Sequence, residues 1–155
     1  MSKKNTIKKK EIKSVIEGLK AVKIAKLEDK AMRASVFKTF MKLLSLNKEF
    51  ESQFDDLKTV FLSAHKEEQD KVQELQNKLN TEIDRVKQAE IAKEINSHKD
   101  YLDAVKELNE KVEALGNETV EIEKLDAEKF SEELQKQECE LATIENLFPL
   151  ISLSE

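Results

Sequence analysis

Apolar residues recur along most of the chain at spacings of three and four, the period of helices that bury one stripe each. The first stripe is Ile12, Val15, Ile16, Leu19 and Val22, in a helix expected to start after Asn5 or Thr6, either of which can cap it. Its phase is lost around "KIAKLED", where Asp29 can cap the next helix. That second helix carries the most regular pattern: Val36, Phe40, Leu43, Asn47, Phe50, Phe54, Leu57, Phe61 and Ala64 follow alternating steps of four and three. A 3.5-residue period lets a helix keep one stripe against a partner helix over several turns. Phe37, Phe40, Phe50, Phe54 and Phe61 all fall in this segment and are expected in helix core.

The polar run "HKEEQDK" follows, and the stripe then resumes, shifted in phase, at Val72, Leu75, Leu79, Ile83 and Val86. Periodicity leaves open one continuous helix or a hairpin turning at residue 65, 81 or 97. Thr81 with Asp84 resembles a capping box, and "NSHKD" is a further break signal. Tyr101, Val105, Leu108, Val112 and Leu115 form the next stripe, which Gly116 is expected to close as a left-handed helix stop. Residues 118–124 then read as extended, with Val120 and Ile122 on one face. A final helix is expected from a cap at Asp126, flanked by Leu125 and Phe130 as a hydrophobic staple. It continues through Leu134, Gln137, Leu141, Ile144 and Phe148 to a stop at Pro149. No second strand of equal quality is legible. The extended segment is therefore expected to cross the helices as a connector or to pair with another chain.

Composition sharpens this picture. Charged residues are 38% of the 155, against roughly 25% in an ordinary domain, while apolar residues are 39% with two glycines and one proline. Long, solvent-washed helices with narrow seams fit those values, and regular apolar spacing argues against disorder. The charge is uneven: residues 1–48 carry a balance of +10 and residues 49–155 one of −15. Either the N-terminus faces an anionic partner such as nucleic acid, or the basic and acidic ends meet. The start lacks the apolar run of a secretory signal, and no stretch approaches the roughly 20 apolar residues of a membrane span, so a cytoplasmic location is expected.

Chemistry-bearing motifs are missing: no phosphate-cradling glycine loop, no zinc-type cysteine pair and no nucleophile elbow. Cys139 stands alone, and His65 and His98 lie in polar stretches. No cofactor, metal or small-molecule substrate is therefore expected. Lys8, Lys9, Lys10 and Lys13 are the candidates for phosphate contact, without the arginines and exposed aromatics that read or stack bases. The tail from 147 to 155 crowds Leu147, Phe148, Leu150, Ile151 and Leu153 beyond the last helix. It either covers the domain's own core or docks on a partner.

The succession of a Lys-rich first helix, "DKAMRASVFKTFMKLL", charged coil, "ETVEIEKLDAEKF" and a last helix ending in "LFPLI" resembles the small helical proteins of unknown function encoded by phages and prophages of low-GC bacteria. The resemblance is one of layout, covers residues 7–62 and 100–151, and implies an accessory, assembly or virion-associated role with no catalytic residues to carry over.

The sequence thus predicts one all-α domain of antiparallel helices, a bundle or coiled-coil hairpin. It has an elongated arm over 63–99, at most one short extended segment and an apolar tail. The expected function is non-enzymatic: a structural, scaffolding or adaptor protein acting through protein contacts or as a homo-oligomer, with Val120, Ile122, Phe148, Leu150 and Ile151 as contact candidates. The alternative is weak, salt-sensitive nucleic-acid binding through the N-terminal lysines.

Overall fold

The computed structural model describes residues 4–151. It is predominantly helical, with seven α-helices and one two-stranded antiparallel sheet among the described residues. In chain order these are β1 (Lys4–Lys8), α1 (Ile12–Ala21), α2 (Lys30–Thr81), α3 (Arg85–Ser97), α4 (Lys99–Asn117), β2 (Thr119–Glu123), α5 (Ala127–Lys136), α6 (Leu141–Asn146) and α7 (Phe148–Ile151), with short 3-10 turns before and after α1. The chain divides into two compact units, one of Met1–Ser52 with Leu115–Glu155, the other of Gln53–Ala114, so α2 contributes to both.

The first unit holds the main core. Phe130, Ile12, Leu19, Leu27, Leu43, Ile122, Leu134, Leu147, Val15 and Val36 are its most completely buried side chains. The stripe read on α1 is buried at every position. On α2 the inward face is Met32, Val36, Thr39 and Leu43, with Phe40 and Leu46 half-buried against it. Asp29 caps α2 as expected, its carboxylate accepting from the Met32 N–H at 2.9 Å. That bond is the main cause holding its pKa below the ordinary value. Asp126 likewise caps α5 through the Lys129 N–H, and both staple residues, Leu125 and Phe130, lie in the core.

The extended segment has its partner within the chain. β1 pairs with β2 in the register Asn5↔Ile122, Ile7↔Val120, and the ladder continues into a bond from the Lys9 N–H to the Glu118 carbonyl. Asn5 and Thr6 therefore do not start a helix; α1 begins at Ile12. A two-stranded sheet is marginal by itself. Here Ile7 and Ile122, 2% and 1% exposed, fasten one face to the helices. Asn5 Nδ2 also donates to the Pro149 carbonyl at 3.1 Å, tying strand to tail.

Two helix ends differ from expectation. No glycine has positive φ, and α4 runs past Gly116 to Asn117. Gly116 instead serves a close approach, since a Cβ there would lie 3.3 Å from that of Lys10. Gly18 plays the same part more tightly. Its Cβ would stand 2.8 Å from Cγ and Cδ2 of the fully buried Leu147, which lets α6 lie against α1.

The second difference is that the last helix is broken. Glu138 adopts φ 53°, and the N–H groups of Glu138 and Cys139 bond back to the Gln135 and Leu134 carbonyls. This is a Schellman stop built on glutamate. Pro149 then sits in the first turn of α7, where its missing N–H costs nothing, rather than ending a helix. An L-residue in the left-handed region loses about 1–2 kcal/mol, part of which glycine returns as unfolded-chain entropy. Glu138→Gly is expected to stabilise the first unit by about 0.5–1 kcal/mol, seen as a higher denaturant midpoint with unchanged slope.

The second unit is an antiparallel hairpin that reverses at residues 82–84, in line with one of the turns legible in the sequence. Asp84 caps α3 by accepting from the Val86 N–H at 2.8 Å. The "NSHKD" break is present as well, with His98 closing α3. Phe61, His65 and Tyr101 cluster across the hairpin at centroid separations of 5.2–6.4 Å. Burial, reinforced by the Glu68 carboxylate, raises the Tyr101 pKa. Because Tyr101 is the single tyrosine of the chain, the absorbance of tyrosinate reports it alone. Its midpoint is expected above the ordinary value of about 10 in the folded protein and back at that value in denaturant. With the folded pKa raised, the stability Tyr101 contributes is complete below the unfolded value and is lost as pH rises through the folded one. A folded midpoint at or below the denatured one contradicts this.

Candidate protein-contact face

The candidate site grows out of the connection between α1 and α2. Residues 24–26 make a 3-10 turn that sets Ile24 against the core and leaves Ala25 exposed. α5 holds this connection by two polar clamps. Gln137 accepts from the Lys23 N–H at 3.0 Å and donates to the Lys23 carbonyl at 2.9 Å. Glu133, 5% exposed, accepts from the N–H groups of Glu28 and Asp29 at 3.1 and 3.4 Å. Those amides lie just ahead of α2, where backbone donors have no partner within the helix. A carboxylate from another helix supplies one.

Against this fixed wall, the outer face of α2 forms an apolar groove of about 570 Å³, lined by Ile24, Ala25, Lys30, Arg33, Ala34, Phe37 and Phe40. Arg33 is oriented by donating to the Leu27 carbonyl at 3.3 Å. The groove continues into an exposed stripe: Phe37, Met41 and Leu44 are 55%, 51% and 37% exposed, at the spacing of one helix face. Phe37, expected in helix core, is therefore a surface residue, because α2 turns Met32, Val36, Thr39 and Leu43 inward and leaves position 37 on the opposite side. The sequence carries a signal for this surface. A second four-and-three series, 37, 41, 44, runs beside the stripe that was read, and residues 30–48 contain five cations with no Asp or Glu.

The five residues predicted as contacts lie elsewhere. Ile122 and Leu150 lie in the core of the first unit, and Val120 and Ile151 are half-buried against it. Phe148, 60% exposed, is the one among the five that faces solvent. Leu147 and Leu150 cover the unit's own core, while Leu153 lies outside the described residues.

The basic and acidic ends of the chain meet within the first unit. Lys9 of the basic segment pairs with Glu118 of the acidic one at 2.6 Å and Lys42 Nζ donates to the Glu121 carbonyl at 2.6 Å, whereas the pair Lys136–Glu28, at 2.8 Å, runs the opposite way. These are surface contacts, screened by water and salt, and weak supports of the fold. Of the nucleic-acid candidates, Lys8 is on β1, Lys9 and Lys10 are in the 3-10 turn and Lys13 is on α1.

Burial raises the pKa of the half-buried Cys139 thiol, which disfavours the nucleophilic thiolate. The groove offers two cations and no carboxylate, hydroxyl or imidazole to act on a bound molecule. Among the described residues no helix is long and apolar enough to cross a membrane. Comparison with protein-family models, with curated proteins and with solved structures gave no match.

Proposed function

We propose that this protein is a non-enzymatic structural or adaptor component that works through protein–protein contacts, with the outer face of α2 as its docking surface. The observation that carries the reading is the exposed series Phe37, Met41, Leu44, continuous with the groove over Phe40 and Ile24. Scattered exposed apolar residues are ordinary on any surface, but a continuous apolar stripe with a charged rim marks an interaction site. The likeness of layout to small phage and prophage proteins supports an assembly or virion-associated setting, and with it a location in the cytoplasm or the particle. Binding to nucleic acid through Lys8, Lys9, Lys10 and Lys13 is the competing class. Lys9 is already paired with Glu118, and the neighbouring strand β2 contributes Glu121 and Glu123 beside β1, which weakens attraction to phosphate.

Light scattering of the purified chain at low salt, with and without a short DNA duplex, separates the two classes. The contact reading predicts that the chain does not enter the duplex peak. A chain that joins the duplex, leaves it as salt rises, and fails to join after Lys8, Lys9, Lys10 and Lys13 are changed to Gln contradicts it.

A further inference from the structure

We infer that the occupant of the α2 face is a second copy of this chain, docking through the edge formed by α6 and the start of α7; the inference rests on the contact reading above. The α2 stripe is apolar at its centre and cationic at both ends. Phe37, Met41 and Leu44 are bracketed by Lys30 and Arg33 on one side and Lys48 on the other, and no acid interrupts residues 30–48. The same unit exposes two further large apolar side chains, on a segment whose own charges are all acidic. Leu141, 71% exposed, begins α6, and Phe148, 60% exposed, begins α7. Around them Glu140 and Glu145 are exposed, and residues 137–151 contain three acids and no Lys or Arg. Both surfaces thus expose large apolar side chains, and the segment that bears the first has cations and no acid while the segment that bears the second has acids and no cation. This complementarity orients a contact and suppresses stripe-to-stripe pairing by like-charge repulsion.

The stripe and the edge are different surfaces, so the contact is heterologous, and its rotation decides between a closed ring and an open chain. Few large side chains take part on either side, which places the association in the weak, concentration-dependent class.

Sedimentation velocity over a concentration series tests the inference by complementation. Phe37→Asp removes the stripe and keeps the edge; Leu141→Asp with Phe148→Asp removes the edge and keeps the stripe. All three positions are exposed, and circular dichroism verifies the fold of each variant. The wild-type chain is expected to self-associate as concentration rises to about 0.5 mM, each variant to sediment as a single chain, and an equimolar mixture to recover a two-chain species. Reversing charge on one surface (Lys30→Glu with Lys48→Glu) is expected to weaken association roughly tenfold at low salt. Reversing the other as well (Glu140→Lys with Glu145→Lys) should restore most of it. A wild-type chain that stays single over the whole range overturns the inference, as does a mixture that stays single while the wild type associates. So does an edge variant that still associates alone. The contact reading survives those failures if Phe37 is covered by a different protein, which cross-linking from that position distinguishes.

Discussion

Phe130→Ala is expected to lower the stability of the first unit by about 3–5 kcal/mol, the cost of emptying a fully buried aromatic site. The ring is 0% exposed and belongs to the core shared by α1, α2, β2, α5 and the tail. It is also the fourth residue after the Asp126 cap, so its removal undoes the staple that fixes how the chain enters α5. Because the chain comprises two compact units, a single global transition is not assured. Amide hydrogen exchange resolved by segment is the suitable readout. Protection is expected to fall in α1, α5 and β2, while the Gln53–Ala114 unit keeps its own. Uniform loss across both units would show that they unfold together.

Glu133→Ala is expected to cost about 2–4 kcal/mol. The side chain accepts two part-buried backbone N–H groups ahead of α2, and hydrogen bonds to a charged acceptor are worth about 1.5–3 kcal/mol each, not fully additively. Glu133→Gln keeps an acceptor in place but weakens a charge-assisted bond, so it should fall between wild type and alanine. A surface role limited to the 3.9 Å approach to Lys136 predicts a loss below about 1 kcal/mol instead. The distinction bears on function, since Glu133 and Gln137 together hold the wall of the α2 groove. Glu133→Ala should therefore loosen residues 23–29, and hydrogen exchange there should rise before any global change.

The helices were legible wherever burial has a period. Ile12, Val15, Ile16 and Leu19 repeat at helical spacing with polar residues between them, and Asp29 and Asp126 announce helix starts because a short carboxylate there reaches the backbone N–H groups ahead of it. The Thr81–Asp84 capping box is not formed, since Thr81 ends α2 with its hydroxyl on the Asn77 and Lys78 carbonyls and Asp84 is itself the cap of α3. What depends on partners far away in sequence was not legible. β1 carries a single buried apolar side chain, Ile7, and its ladder lies more than 100 residues away. A five-residue strand gives too little pattern to outweigh the cap signals of Asn5 and Thr6.

Gly116 differs from its expected role as a helix stop for a related reason. A glycine that permits close approach cannot be told in sequence from one that turns a helix. Glu138 hides a helix stop for the converse reason, occupying a conformation that its type rarely adopts.

For the candidate site, the error concerned which apolar residues are spare. Ile122 and Leu150 drew notice because they lay outside the helical stripes, yet strand and tail fold back onto α1 and bury them. Phe37 looked like one more core aromatic. Only the orientation of α2, set by Met32, Val36 and Leu43 facing inward, separates it from Phe40.

Photo-cross-linking from position 37 tests the contact claim most directly. A benzophenone amino acid replaces Phe37 in one variant and exposed Lys13 in another, each produced in the cell that makes the protein. The account predicts a discrete adduct with a second polypeptide from position 37, lost on adding Met41→Asp, and none from position 13. Uncross-linked chain alone from both positions, or the same adducts from both, would contradict a docking surface on α2.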